Sequence, residues 1–230
     1  MVVGNGMIAH RFSSYKDDND TIIFASGVSN SKDTIDANFI REFELLEKFV
    51  KQYPDKTVVY FSTCSVQDSD LAASPYIIHK KRIEKYIREN AEKFYLFRVS
   101  NLGGISNNPY TLLNYFIFNI LAGQQLQVWT KAYRNIIDID DMYATVNYFL
   151  KNQHHINSVI NIANPKNYAV PYIISCIENH LNKKAIYTEV ERGDNYLIDI
   201  STAAAVYEKL NIRFGDDYLA LILHKYYHSR

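Results

Sequence analysis

The chain has 230 residues, 47% of them hydrophobic, and its 25 basic side chains balance its 25 acidic ones, so the formal net charge is zero. That balance gives no reason to expect a nucleic acid polymer or a membrane as partner, and the length suits one large domain or a domain with a small lobe. Two cysteines, no recognisable signal peptide and no apolar stretch long enough to span a bilayer together predict a cytoplasmic protein with reduced thiols.

Strand-like and helix-like segments alternate along most of the chain. A short strand at 1–3, a glycine-containing turn and a helix over 7–12 come first, and a polar loop leads to a strand at 21–25. The same patterns predict helices over 36–52, 76–91, 110–122 and 142–152, and strands over 57–62, 94–99, 126–129, 135–139 and 159–162. Strands separated by helices predict an α/β fold: a doubly wound parallel sheet with helices on both faces.

The alternation weakens after residue 164. The part from 170 to 230 reads as helical with one strand near 185–188. We therefore predict a parallel-sheet domain over residues 1–164 and a small, mostly helical C-terminal portion over 165–230.

The helix predicted over 36–52 is amphipathic. Phe39, Phe43 and Leu46 share one side of it with Phe49 or Val50. Apolar residues at this spacing form the stripe by which a helix packs on a sheet.

A tyrosine and a lysine four residues apart, Tyr76 and Lys80, follow a strand that ends in hydroxyl residues, Ser62 and Thr63. Residues four apart lie one above the other on a helix face. An ammonium group beside a phenol favours phenolate and lowers the pKa of the tyrosine, and a hydroxyl at the strand end can hold the oxygen that the tyrosine protonates. The set suits proton transfer to and from a carbinol; a surface tyrosine with a solvated lysine is the alternative.

The turn Gly4-Asn5-Gly6-Met7-Ile8-Ala9 lies between the first strand and the first helix. Glycines at this position let the backbone approach the phosphates of a dinucleotide, and a small residue at Ala9 lets helix and strand pack closely. A plain tight turn is the alternative interpretation.

Eight segments in order resemble the extended branch of the short-chain dehydrogenase/reductase superfamily, which comprises nucleotide-sugar epimerases, dehydratases and reductases. They are Gly4–Ala9, Phe24–Gly27, Asn38, Phe61–Thr63, Ser74–Lys80, Arg98–Gly103, Arg134–Asp141 and Asn161–Asn164. The resemblance covers most of the chain and implies a Rossmann-like domain followed by a substrate-binding portion.

The resemblance also implies roles for particular residues. Tyr76 would be the acid/base, Lys80 would lower its pKa and hold the nicotinamide ribose, and Thr63, with Ser62 as the alternative, would bind the reacting oxygen. NAD or NADP would lie against Gly4, Asn5, Gly6, Met7, Ile8, Ala25, Ser26, Gly27, Asn38, Ser62, Tyr76 and Lys80.

A nucleotide-sugar substrate would contact Ser29, Asn101 and Arg134, because an arginine fork meets phosphate with two hydrogen bonds. Asn101 as a turn cap and Arg134 as a surface charge are the alternatives. Tyr196 and the segment 199–201 lie where relatives touch the nucleotide or the sugar. His79 and Cys64 are interpreted as supporting or core residues, and no metal is expected, since His154 and His155 lack the spacing of a ligand set.

The chain departs from the family pattern between the first helix and the strand at 21–25. The family has two further strands there, and here only Ser13 to Asp20 intervene. The residue that reads the adenosine ribose has no counterpart, because Asp17, Asp18 and Asp20 fit a polar loop better. The first strand would then be a sheet edge, which predicts covering by a second subunit in a homo-oligomer.

The strand end departs from the dehydratases of this family, which carry Asp-Glu after the threonine. Cys64 and Ser65 stand there instead, so 4,6-dehydration is not expected. Cys64 as an acid/base cysteine is an alternative with a poor register. The sequence thus predicts reduction of a 4-keto sugar or 4-epimerisation, and the alternative is a non-catalytic binding or assembly module that has lost full cofactor binding.

Overall fold

The computed structural model of the protein describes residues 1–227, apart from the side chain of residue 70. Ten strands and eight helices alternate along this part of the chain. In chain order they are β1 (Val2–Val3), α1 (Met7–Arg11), β2 (Thr21–Phe24), α2 (Asp36–Gln52), β3 (Thr57–Thr63), α3 (Pro75–Asn90), β4 (Phe94–Val99), β5 (Asn101–Gly103), α4 (Leu112–Leu121), β6 (Gln125–Trp129), β7 (Tyr133–Asp138), α5 (Ile139–Asn152), β8 (Ser158–Ile162), β9 (Asn167–Ala169), α6 (Val170–Leu181), β10 (Ile186–Val190), α7 (Ser201–Lys209) and α8 (Tyr218–Tyr226).

The central sheet has five strands in the order β1-β2-β3-β4-β8. Every neighbouring pair in it is parallel, so all five carboxyl ends lie at one edge. One face packs on α1, α5 and α7, and the other packs on α2 and α3. This confirms the predicted α/β fold with helices on both faces.

Strand β1 lies at the edge of this sheet, as predicted. Between α1 and β2 the chain forms one short 3-10 turn, Ser13–Tyr15, and no strand. The amino group of Met1 donates to the carbonyl oxygens of Asp18 and Thr21 at 2.7 and 2.6 Å, and the Asp18 carboxylate accepts from the backbone N–H groups of Asp20 and Thr21. Asp18 therefore shapes the turn into β2, in keeping with the polar-loop interpretation.

Two smaller sheets flank the C-terminal half. Strand β7 joins β5 in a parallel pair and β9 in an antiparallel pair, while β6 pairs with β10 in parallel. Strands β5 and β9, which have three residues each, were not predicted from the sequence.

A hydrophobic core in the C-terminal half combines residues from both sides of position 164. Leu113, Ile117 and Leu126 pack with Ile173 and other apolar residues of α6 and α8. The division of the chain at residue 164 into a parallel-sheet domain and a C-terminal portion stays a proposal about function. None of the helices in the described part of the chain is long and apolar enough to cross a membrane.

Candidate active site at the carboxyl ends of the strands

The structure brings Tyr76 and Thr63 together. Ser74 caps helix α3 by accepting from the Ile77 N–H at 3.2 Å, and Pro75 occupies the first turn, which places Tyr76 at the start of the helix. Thr63 ends β3, and its hydroxyl lies close enough to the Tyr76 phenol to affect the pKa of that phenol. A phenol and a hydroxyl therefore lie together at the carboxyl end of β3.

Ser62, the alternative to Thr63, is directed elsewhere. Its hydroxyl donates to the Glu84 carboxylate at 2.6 Å, and Glu84 also accepts two hydrogen bonds from Arg98 at 2.9 and 2.6 Å. Ser62 therefore belongs to a buried polar network between β3, β4 and α3, and Thr63 is the better candidate for the reacting oxygen.

Lys80 points into the protein and is only 2% exposed. Its ammonium group donates to a carboxylate oxygen of Glu42 at 2.9 Å and to the phenol oxygen of Tyr60 at 2.8 Å. The distance from its nitrogen to the centre of the Tyr76 ring is 5.6 Å. Its charge is therefore compensated by a neighbouring carboxylate.

Glu42 is a residue of the candidate site that could not be identified from the sequence. It is fully buried, and besides Lys80 it accepts from the Val28 N–H at 2.6 Å and from the Tyr60 hydroxyl at 2.5 Å, with His79 Nε2 at 3.0 Å. Burial alone would raise the pKa of this carboxyl, but the charge of Lys80 and the hydrogen bonds outweigh burial and lower the pKa to about 2. The available signal was position, since Glu42 lies three residues after Phe39 and four before Leu46, on the buried stripe of α2.

The predicted lowering of the Tyr76 pKa is wrong for the protein in this state. Burial and the charge of Glu42 raise the pKa of the Tyr76 phenol, and the nearby Thr63 hydroxyl only partly offsets them. Lys80 fails to lower it because the Glu42 carboxylate neutralises the ammonium group. Tyr76 is a phenol at neutral pH.

The glycine turn after β1 fits the phosphate end of a dinucleotide. Gly4 has φ +127°, and a Cβ there would come within 2.4 Å of the Ala25 carbonyl oxygen, so this position requires glycine. A Cβ on Gly6 would meet nothing within 4 Å. Gly4, Asn5 and Gly6 are exposed, whereas Ala9 is buried where α1 packs on the sheet. Backbone N–H groups at this edge are thus open to a ligand.

The part of the site where the nicotinamide would lie is occupied by contacts within the protein. Arg41 donates to the hydroxyl and the carbonyl oxygen of Ser26 at 3.2 and 3.1 Å. The backbone of Gly27 passes so close to Lys80 that a Cβ there would lie 2.9 Å from the ammonium nitrogen. Contact between Lys80 and a cofactor ribose, which the resemblance implied, is not available in the arrangement described and stays a proposal.

The remaining residues proposed for the cofactor are partly engaged within the protein. The Asn38 amide donates to Asp33 at 2.8 Å, which ties the start of α2 to the preceding loop. Met7, Ile8 and Ala25 are partly buried against the core. They shape the walls of the site rather than offer polar groups to it.

Two of the proposed substrate contacts, Asn101 and Arg134, are bonded within the fold. The Asn101 amide donates to the Asn135 carbonyl oxygen at 2.8 Å and so joins β5 to β7, and the Arg134 guanidinium donates to the Tyr133 carbonyl oxygen at 2.7 Å. The Ser29 hydroxyl is exposed and accepts from the Asn108 amide at 2.9 Å. Asn101 therefore links strands rather than capping a turn.

The segment between β10 and α7 brings Tyr196 to the end of β3. Ser65 and Arg134 both lie close enough to its phenol to affect the pKa of that group. The Asp199 carboxylate instead accepts from the Ser201 N–H at 2.9 Å at the start of α7. Of the C-terminal residues that the resemblance suggested, Tyr196 lies beside the candidate site.

Cys64 is a core residue. Its thiol is 1% exposed and donates to the Arg98 carbonyl oxygen at 3.1 Å. Burial raises the pKa of this thiol to about 12, so it has no thiolate character at neutral pH. This environment gives no support to Cys64 as an acid/base group.

A parallel sheet with helices on both faces, an open glycine turn after β1 and a Tyr–Thr pair at the end of β3 define a Rossmann-like α/β protein with a candidate dinucleotide site. Residues 22–163 match the NAD dependent epimerase/dehydratase family, and the chain belongs to that family. No curated protein sequence is significantly similar to it.

Solved structures share the fold at low sequence identity. MoeE5 in complex with UDP-glucose and NAD is 18% identical with a TM-score of 0.72, over 89% of this chain and 78% of that one. UDP-glucuronic acid 4-epimerase from Bacillus cereus, in complex with UDP-glucuronic acid and NAD, is 19% identical with a TM-score of 0.69, over 93% and 78%. dTDP-glucose 4,6-dehydratase from Bacillus anthracis, in complex with NAD, is 18% identical with a TM-score of 0.67, over 95% and 76%.

Proposed function

We propose that the protein is an NAD- or NADP-dependent enzyme that reduces a 4-keto nucleotide sugar or epimerises a nucleotide sugar at C4. Tyr76 exchanges a proton with the sugar oxygen, and Thr63 holds that oxygen in place. A bound nicotinamide supplies or accepts the hydride at the sugar carbon.

The single observation that carries the proposal is the placement of the Tyr76 phenol beside the Thr63 hydroxyl at the end of β3, in a chain of this family. A phenol aligned by a neighbouring hydroxyl is a standard arrangement for general acid–base catalysis. The pair lies where β3 ends, and in open parallel sheets ligands bind beyond the carboxyl ends of the strands.

The residues that would hold the dinucleotide are the exposed backbone of Gly4, Asn5 and Gly6 and the end of β2 from Ala25 to Gly27. Among the described residues, the central sheet has no strand beyond β1, on the side where the family binds adenosine. The protein can therefore contact the phosphates and the nicotinamide of the cofactor.

The test is calorimetric titration of the purified protein with NADH and with NADPH, alone and with UDP-, dTDP-, GDP- and CDP-sugars present. Saturable binding of one cofactor, strengthened by one class of nucleotide sugar, is the expected result. Absence of binding under every condition would contradict the enzymatic proposal.

Gly6→Val serves as the variant for this titration. Its side chain would enter open space in the protein, so a loss of cofactor binding reports on the ligand and not on the fold. Ala122→Val is the control, because Ala122 is exposed at the end of α4, has an ordinary backbone conformation and is remote in sequence from the site.

A second candidate function is a non-catalytic binding or assembly module. The specific observation in its favour is the pairing of Lys80 with Glu42, which removes the lysine from the surface of the site. A module of this kind would bind no cofactor and would show a partner at the β1 edge. Light scattering over a wide concentration range tests whether that partner is a second copy of the chain.

A further inference from the structure

The Glu42 carboxylate is buried and pairs with Lys80, whose ammonium group lies near Tyr76. Glu42 lies on α2 and Lys80 on α3, and their side chains meet under the backbone of Gly27 with 0% and 2% of their surfaces exposed. Four groups converge on the carboxylate: the Val28 N–H, the Tyr60 hydroxyl, His79 and Lys80. A carboxylate with this many partners is fixed in position.

The same contacts fix Lys80. Two of its hydrogen bonds go to Glu42 and Tyr60, and both acceptors lie on elements packed against α3. The Glu42 carboxylate, 2.9 Å from the Lys80 ammonium group, opposes the effect of that positive charge on the neighbouring ring. Tyr76 therefore lacks the unpaired positive charge that would stabilise its phenolate.

We propose that Glu42 is a positioning residue which holds Lys80 on Tyr60 and on itself and keeps Tyr76 as a proton-donating phenol, so that the site favours reduction of a ketone over oxidation of an alcohol. The inference rests on the proposed function, because it assigns the direction in which Tyr76 acts. The sequence pattern that identified Tyr76 and Lys80 does not indicate that Lys80 pairs with a buried acid.

Ketone reduction and alcohol oxidation require different protonation states of Tyr76 at the start of the reaction. Reduction of a ketone adds a hydride to carbon, from a reduced nicotinamide, and a proton to oxygen, from the Tyr76 hydroxyl. The phenol O–H bond breaks as the alcohol O–H bond forms, and the resulting phenolate regains a proton from solvent. Alcohol oxidation would instead require phenolate at the outset.

The charged and titratable groups around this network come from four elements. Glu42 belongs to α2, Tyr60 to β3, and Tyr76, His79 and Lys80 to α3. Glu84 lies further along α3, where Arg98 of β4 pairs with it. Burial and Glu42 both raise the pKa of Tyr76, in agreement with the geometry.

The test measures the ionisation of Tyr76 without cofactor or sugar. The protein has 19 tyrosines, so it is labelled with carbon-13 at the tyrosine ring carbon that bears the hydroxyl, and the Tyr76 resonance is assigned as the one missing in Tyr76→Phe. The resonance is followed against pH in the wild type and in Glu42→Gln, Glu42→Asp and Glu44→Gln. Glu44 is an exposed acid on the same helix and serves as the matched control.

The wild-type resonance is expected to titrate above the ordinary tyrosine value of 10.0. In Glu42→Gln it should titrate about 1 to 3 pH units lower than in the wild type, because Lys80 loses its counter-ion. Glu42→Asp should restore most of the wild-type value, and Glu44→Gln should leave it unchanged.

A wild-type titration below 10.0 would overturn the proposal even if Glu42→Gln fails to fold. So would a folded Glu42→Gln variant that titrates like the wild type. A purely structural Glu42 would change the melting temperature without moving this titration. Because the measurement contains no cofactor, a failed cofactor titration leaves its result intact.

Discussion

The Glu42 carboxylate accepts a hydrogen bond from the Lys80 ammonium group at 2.9 Å, at a place where neither side chain has more than 2% of its surface exposed. Burying two charges is unfavourable unless they pair and the remaining hydrogen-bonding positions are satisfied. Here Tyr60, His79 and the Val28 N–H meet that requirement. The pair therefore ties α2 to α3 and makes the stability of the protein depend on the ionisation of one carboxyl.

The stability of the wild type should fall in acid because of Glu42. The pKa of this carboxyl is about 2 in the folded protein against 4.5 for the ordinary group, so its contribution is complete above pH 4.5 and is lost as pH falls toward 2. The difference corresponds to about 3 kcal/mol of unfolding free energy. Urea unfolding at several pH values measures it, and a flat profile below pH 4.5 would contradict the assignment.

Glu42→Gln should reduce the free energy of unfolding at pH 7 by about 3 to 5 kcal/mol, since it leaves Lys80 buried without a counter-ion. Glu44→Gln, on the exposed side of the same helix, should change it by less than about 0.5 kcal/mol. The gap between wild type and Glu42→Gln should narrow in acid, and a gap independent of pH would point to packing instead of charge.

Tyr76→Phe should lower the turnover of the nucleotide sugar found by titration by about 10² to 10⁴-fold, because the proton donor is removed while the ring remains. Cofactor affinity should change little. Tyr86→Phe is the matched control on the same helix, since its hydroxyl has no hydrogen-bond partner among the described residues. Equal turnover of Tyr76→Phe and wild type would exclude Tyr76 as the acid/base.

Gly4→Ala should destabilise the protein by about 1 to 3 kcal/mol, because φ is +127° and the new Cβ would meet the Ala25 carbonyl oxygen. Gly6→Ala should leave the free energy of unfolding within about 1 kcal/mol of the wild type, since that Cβ enters open space. Urea denaturation of both variants separates the glycine that the fold requires from the one left open to a ligand.

Much of the fold could be predicted because its longer elements carry a clear period. Helix α2 and strand β4 have the predicted bounds, Asp36–Gln52 and Phe94–Val99, since each has an apolar pattern ended by polar residues. Strands β5 and β9 have three residues, which is too short to show alternation, and they depend on β7 for their pairing.

The candidate site could be predicted only in part. Tyr76 and Thr63 were brought together by a known spacing and a strand end. Glu42 was not found, because an acid in an amphipathic helix usually faces solvent and its partners on β3 and α3 are 18 and 38 residues away. Only the packing of three elements shows that it neutralises Lys80.

A fragment ending at residue 164 should not fold on its own. Leu113, Ile117 and Leu126 would lose their contacts with Ile173 and Leu219, and each newly exposed side chain forfeits about 1.5 to 3 kcal/mol of burial. The circular dichroism signal of the fragment is expected to show no cooperative thermal transition. The full chain should show a single transition in the same experiment. A fragment that melts cooperatively at the temperature of the full chain would show instead that residues 1–164 are an independent domain.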